Sequence, residues 1–171
     1  MKKIFITGIC GFVGSNLAIF FKERNYQVYG VDNLSRKGSR KNYLRLKKIG
    51  INILKGNLCS NKVLKKILKK NTFTSLIHCA GFTSVLDGTN LITAKNLYEN
   101  NILSTLNSLE IAKKSNSNFI YISSSRVYSL SALNNLKLDK LGKKAKLRAE
   151  NDFTWEAIGN KYLQLIQNLD N

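Results

Sequence analysis

The chain has 171 residues, 43% of them hydrophobic, and a formal net charge of +18. That length suits one domain with a proper core, about 70% of the unfolded surface being buried on folding. Composition excludes a helical membrane span, since no run of about 18 apolar residues exists, and a single histidine excludes a histidine-rich metal site. Three cysteines, Cys10, Cys59 and Cys79, lack metal-type spacing and read as reduced thiols of a cytoplasmic protein. Lys2-Lys3 leads into a short strand and glycines, not into a signal peptide. The lysine excess is spread along the chain without interleaved aromatics, so it reads mainly as a solvated surface. A basic nucleic-acid-binding module is kept as a third reading.

Lys3–Thr7 is a largely apolar run expected to form a buried parallel strand. It runs into Gly8-x-x-Gly11-x-x-Gly14 and then a helix over Phe12–Arg24 with Val13, Leu17, Phe20 and Phe21 toward the sheet. Gln27–Val31 is the second strand and ends on Asp32; Asn42–Ile49 is a short basic helix and Ile51–Lys55 a third strand. Asn61–Lys70 is amphipathic, with Asn61 as its N-cap and Val63, Leu64, Ile67 and Leu68 inward. Thr74–His78 gives a fourth strand, Asn90–Lys114 one long helix, and Asn118–Ser123 a fifth strand. Strands alternating with helices imply right-handed βαβ units. The expected fold is α/β: a doubly wound parallel sheet of order 3-2-1-4-5, with a ligand at the switch point between strands 1 and 4. From Leu136 the chain turns lysine-rich and helical, so residues 1–135 are expected to form the sheet domain and 136–171 a helical tail.

Each glycine has a task. Gly8 permits the tight turn off the strand, Gly11 lets backbone approach a pyrophosphate, and Gly14 lets the helix pack closely on the sheet. The helix start at Phe12 and Val13 offers N–H groups and the positive end of the dipole to phosphates. Asp32, ending the next strand, should accept hydrogen bonds from the adenosine ribose hydroxyls and repel a 2′-phosphate, which favours NAD over NADP. Arg36 and Lys37 pull the other way as potential partners of that phosphate. No metal site is expected.

The spacing Gly-x-x-Gly-x-x-Gly resembles the extended short-chain dehydrogenase/reductase (NAD-dependent epimerase/dehydratase) superfamily with its NAD(P)-binding Rossmann domain, here truncated. The loop Asp32-Asn33-Leu34-Ser35-Arg36-Lys37-Gly38 looks like the cofactor loop of its nucleotide-sugar epimerases, especially the CDP-paratose 2-epimerase branch. Gly56-Asn57-Leu58 stands where the family carries Gly-Asp-hydrophobe, whose acid contacts the adenine; the Asn57 carbonyl oxygen could still accept from the adenine amine. Cys79-Ala80-Gly81, after His78, matches the strand-4 segment beneath the cofactor, and Asn101-Ile102-Leu103-Ser104-Thr105 the family's Asn-Val-x-Gly-Thr, whose asparagine buttresses the central helix. Within Ser123-Ser124-Ser125-Arg126-Val127-Tyr128, Ser124 matches the catalytic Ser/Thr. His78 reads as a packed strand-end histidine, and Cys10 and Cys79 as small buried residues.

The resemblance implies transient oxidation of a nucleotide-sugar substrate by NAD, with a Tyr-x-x-x-Lys helix after strand 5 supplying the base. That motif is absent there: Tyr128 is followed four later by Ala132 and Tyr162 by Ile166, while Tyr43 with Lys47 lies after strand 2. A positioned base is worth about 10²–10⁴ in rate, so the chain is expected to be inactive alone, and a non-catalytic NAD-binding remnant is the alternative. The stretch 141–158, with Phe153-Thr154-Trp155-Glu156, resembles the end of family-4-type (GT-B) glycosyltransferases, with Thr154 as an N-cap. A chimera joined near Leu133–Leu138 is therefore one expectation, a private helical cap over the strand-5 edge the other. Self-association is left open.

Overall fold

The strand Lys3–Thr7 (β1) forms as expected and lies at the centre of a five-stranded parallel sheet of order β3-β2-β1-β4-β5. The computed structural model describes residues 2–70, 72–82, 91–122 and 154–169. The other strands are β2 (Gln27–Asp32), β3 (Asn52–Lys55), β4 (Ser75–His78) and β5 (Asn118–Tyr121). Register aligns their C-terminal ends: Thr7 faces Val31 on one side and His78 on the other, Asp32 faces Lys55, and His78 faces Tyr121. Side chains at the ends of β1, β2 and β4 are thereby gathered at one edge.

Alternation along the strands divides the core. Phe5, Val31 and Leu76 point to the face covered by α3 (Asn61–Lys70) and α5 (Ser104–Ser115), where they meet Ile67, Ile111 and Phe73. The inner face of α3 is the expected one: Ile67 is buried, and Val63, Leu64 and Leu68 pack against this cluster. Its start shifts by one residue, because Ser60, not Asn61, supplies the carbonyl that accepts the first intrahelical bond, from Leu64 N–H at 2.9 Å. Helix α1 (Phe12–Glu23) buries Leu17, Phe20 and Phe21. Full burial of a side chain such as Phe21 contributes about 1.5–3 kcal/mol.

Helix α2 spans Ser39–Lys48, three residues earlier than the sequence pattern suggests. Gly38, with φ +89°, turns the chain, and Ser39 Oγ donates to Arg36 O at 2.7 Å, so the helix starts ahead of its apolar pattern. The long helix expected over Asn90–Lys114 is not continuous. It runs as α4 (Leu91–Leu97), a wide π-type turn (Tyr98–Leu103), and α5. Side-chain donors contend for the carbonyls of that stretch: Asn100 Nδ2 with Asn96 O (2.8 Å), Ser104 Oγ with Asn100 O (2.6 Å), and Thr105 Oγ1 with Asn101 O (2.6 Å). Such back-bonding loosens the i→i−4 ladder and admits an extra residue. Strand β5 ends at Tyr121, short of the expected Ser123.

The chain divides into two units, Met1–Tyr121 and Ile122–Asn171. In the second, α6 (Trp155–Leu169) starts on the expected cap, Thr154 Oγ1 accepting from Ala157 N–H at 3.1 Å. Its Gly159 and Ile166 are buried. Among the described residues, no helix is long and apolar enough to cross a membrane.

Candidate functional site

A cleft of about 680 Å³, open mouth included, lies at the C-terminal ends of β1, β2 and β4. Its floor is the glycine turn. Gly8 has φ +63°, which a side chain would resist, and a Cβ there would stand 2.9 Å from Ala80 Cα. Gly14 packs on the same turn: a Cβ would collide with Gly8 O and come within 2.9 Å of Ile9 Cα. These glycines let β1, α1 and the loop after β4 close on one another. Gly11 caps α1 with extended backbone, and the first intrahelical bond is Ser15 N–H to Gly11 O at 3.0 Å. The Val13 and Gly14 N–H groups thus stand outside the helix's own ladder, at the positive end of its dipole.

Asp32 forms the second wall together with the loop it starts. One carboxylate oxygen accepts from Cys10 N–H at 2.9 Å, the other from Leu34 N–H at 2.8 Å. The acid therefore pins the glycine turn to β2, a structural task that sequence spacing does not reveal. A carboxylate has about four acceptor sites, so the remaining lone pairs are available to a ligand. Asn33 Oδ1 accepts from Ser35 N–H (3.0 Å) and Ser35 Oγ (2.8 Å), and Asn57 Oδ1 from Cys59 N–H (2.9 Å). Three such local turns, at Asp32, Asn33 and Asn57, shape this side of the cleft. Asn42 Nδ2, from α2, adds a tie to Cys10 O at 2.9 Å.

The wall after β4 is built differently. His78 is buried, with Nδ1 2.8 Å from both Thr7 Oγ1 and Ser108 Oγ, and Nε2 3.1 Å from Thr105 Oγ1. Burial lowers its pKa to about 4, so the ring is neutral. Thr105 Oγ1 donates to Asn101 O, Ser108 Oγ donates to Ser104 O, and Thr7 Oγ1 receives Ala80 N–H at 3.2 Å, so hydroxyls already tied to backbone surround the neutral ring. The histidine is a packed strut beneath the cleft, as expected, and the ring lies parallel to Tyr121 at 5.6 Å. Asn101, in the wide turn, holds the loop above with both ends of its amide: Oδ1 accepts from Phe82 N–H (2.6 Å) and Nδ2 donates to Phe82 O (3.0 Å). It buttresses the segment after β4 at Phe82.

Of the cofactor residues expected from sequence, Gly8, Gly11, Asp32, Asn33, Ser35, Arg36, Asn57, Leu58, Cys79, Ala80 and Gly81 line this one cleft. Phe12, Val13, Gly14 and Asn101 border it without being part of its lining. Sequence reasoning missed Ser39, Cys59, Phe82, Asn100 and Ser104, which also line it. Only the Asn101 motif hinted that the central helix reaches the cleft. Ser124 lies outside the described residues, as does the segment 141–153. Tyr43 and Lys47 sit on α2 and do not line the cleft. The thiols are held protonated: burial, then the Asp32 charge, pushes Cys10 up to about 12, burial alone takes Cys79 to about 12, and burial with Glu99 raises Cys59. Among the described residues no group of acids, histidines and cysteines could hold a metal ion.

A dinucleotide fits this chemistry: a helix start for the pyrophosphate, a side-chain-free Gly11 lining the cleft, and an oriented carboxylate one strand away. Comparison with known proteins gives the same direction. The chain is 35% identical over 129 residues to a CDP-paratose 2-epimerase of Salmonella typhi, covering 74% of this chain and 38% of that protein. It is 30% identical over 172 residues to UDP-glucuronate 4-epimerase 4 of Arabidopsis thaliana, covering 93% of this chain and 38% of the relative. A UDP-glucose 4-epimerase of Bifidobacterium longum, solved with NAD⁺ and UDP, superposes with a TM-score of 0.65 at 27% identity, over 75% of this chain and 38% of that one. The chain thus spans well under half the length of these relatives. The family model for the NAD dependent epimerase/dehydratase family matches residues 4–143, and the chain belongs to that family.

Proposed function

We propose that the cleft binds NAD and that the chain carries the cofactor half of a nucleotide-sugar epimerase or dehydratase, of the CDP-paratose 2-epimerase type. The observation that carries this is Asp32, held by Cys10 N–H and Leu34 N–H beside a glycine turn that opens a helix. The residues that line and border the cleft take the parts their sequence motifs imply. Val13 and Gly14 N–H groups meet the pyrophosphate, Asp32 the adenosine ribose hydroxyls, and the Asn57–Leu58 segment the adenine. Bound NAD supplies a hydride acceptor and donor for a sugar carbon. Ser124 is assigned to holding the substrate hydroxyl.

A second reading, a dinucleotide-binding chain without turnover, is favoured by the absence of Tyr-x-x-x-Lys after β5. A glycosyltransferase-like end joined near residues 133–138 belongs with it. The family match running to residue 143 and the Arabidopsis relative aligned over 93% of the chain weigh against a foreign tail.

Calorimetric titration with NAD tests the first claim. Wild type should bind, and Asp32→Asn, which keeps one acceptor for the loop, should bind about 10- to 100-fold more weakly, the loss expected for hydrogen bonds to a charged acceptor. No binding by a chain shown to be folded overturns the proposal. Turnover of a CDP- or UDP-sugar by the purified chain rejects the second reading.

A further inference from the structure

Arg36 and Phe82 stand on opposite sides of the glycine turn, on the loops that follow β2 and β4, and both line the cleft. Nevertheless they meet. The Arg36 guanidinium carbon lies 4.6 Å from the centroid of the Phe82 ring, within cation–π range. The two partners are unequal. The backbone of Phe82 is fixed on both sides by the Asn101 amide, through its N–H and its C=O. Arg36 is exposed, on a long side chain with high rotamer freedom. The residue with the anchored backbone therefore decides where the guanidinium rests.

That position matters because Arg36 is the only cationic side chain among the described residues lining the cleft, and Asp32 the only carboxylate. A guanidinium released beside Asp32 would be the natural counter-ion of a phosphate on the ribose, with fork geometry suited to it. Drawn across to Phe82, it is withdrawn from that role, and the Asp32 charge is left to repel a 2′-phosphate.

We propose that Phe82 is a specificity-determining residue of the dinucleotide site: its ring holds Arg36 away from the adenosine ribose and so sets selectivity for NAD over NADP. The inference rests on the cleft being the dinucleotide site. Arg36 alone leaves the preference open in either direction; Phe82 gives it a sign.

Titration of NAD and NADP against wild type, Phe82→Leu, Phe82→Tyr, Arg36→Gln and the double variant Phe82→Leu/Arg36→Gln tests it. Leucine keeps apolar bulk but lacks the π face; tyrosine keeps the face. Phe82→Leu should raise NADP affinity relative to NAD about two- to fivefold, the range for one exposed cation–π contact. Phe82→Tyr should retain the wild-type ratio, and the double variant should lose the gain. An unchanged ratio in Phe82→Leu, or a gain that survives without Arg36, overturns the proposal while NAD binding itself stands. Failure of the folded wild type to bind either nucleotide overturns both this and the reading of the cleft.

Discussion

The two walls of the cleft are made of different materials. On the β1–α1–β2 side, backbone does the shaping: glycines remove Cβ atoms, and amides of Cys10 and Leu34 orient Asp32. On the β4 side, side chains do it, and they come from far along the chain. Thr7 reaches His78, Thr105 and Ser108 grip its ring, and Asn101 holds Phe82. A wall of backbone tolerates no added atoms, whereas a wall of side-chain hydrogen bonds fails bond by bond. The predictions below separate these two kinds of failure.

The largest effect is expected where the walls touch. Gly8→Ala would place a residue with φ +63° whose Cβ meets Ala80 Cα at 2.9 Å. Left-handed backbone costs an alanine about 1–2 kcal/mol, and forcing backbone apart adds about 1–3 kcal/mol. Urea unfolding should show a loss of about 3 kcal/mol together with loss of NAD binding. A variant as stable as wild type would mean that the two loops separate freely and are not one unit.

The same contrast explains how much could be read from the sequence. Glycines at 8, 11 and 14 and an acid at 32 are local signals with fixed spacing, so the first wall, the sheet order and most of the cleft lining were legible. The β4 wall depends on pairs 19 to 71 residues apart, such as Asn101 with Phe82 and Thr7 with His78. No local periodicity encodes them. The central helix was misread for a local reason. Its apolar pattern is continuous, but Asn100, Ser104 and Thr105 spend hydrogen bonds on its carbonyls and open a wide turn. Asp32 was legible as an acid ending β2 and illegible as the pin of the glycine turn, because the Cys10 amide carries no sequence mark.

A comparable, pH-dependent effect should come from the β4 wall alone. His78 titrates near 4 in the folded chain because burial opposes its charge, and near 6.5 when unfolded. Between those values the unfolded state binds more protons, so stability rises with pH there. It is complete above about pH 6.5 and falls as the pH drops toward 4, by up to about 3 kcal/mol from this group. Unfolding free energies measured from pH 7.5 to 4.5 should show this slope in wild type, and a shallower one in His78→Asn. Equal slopes would remove the histidine as the cause.

The smallest expected loss is also the most local. Asn101→Ala removes both bonds to the Phe82 backbone and none to the glycine turn. Leaving such polar groups without their partner costs about 1–3 kcal/mol when they are buried, and less here, since the loop is only part-buried and water can substitute. A global loss of about 1 kcal/mol is expected. The sharper readout is amide hydrogen exchange. Phe82 N–H should lose protection in Asn101→Ala, while Gly8 N–H, bonded to Val31 O at 2.9 Å, should keep it. Asn101→Asp retains the acceptor for Phe82 N–H and loses the donor to Phe82 O, so it should protect the Phe82 amide where alanine does not. If Gly8 and Phe82 amides lost protection together, the two walls would open as one cooperative unit, and the distinction between a backbone wall and a side-chain wall would describe their construction but not their failure.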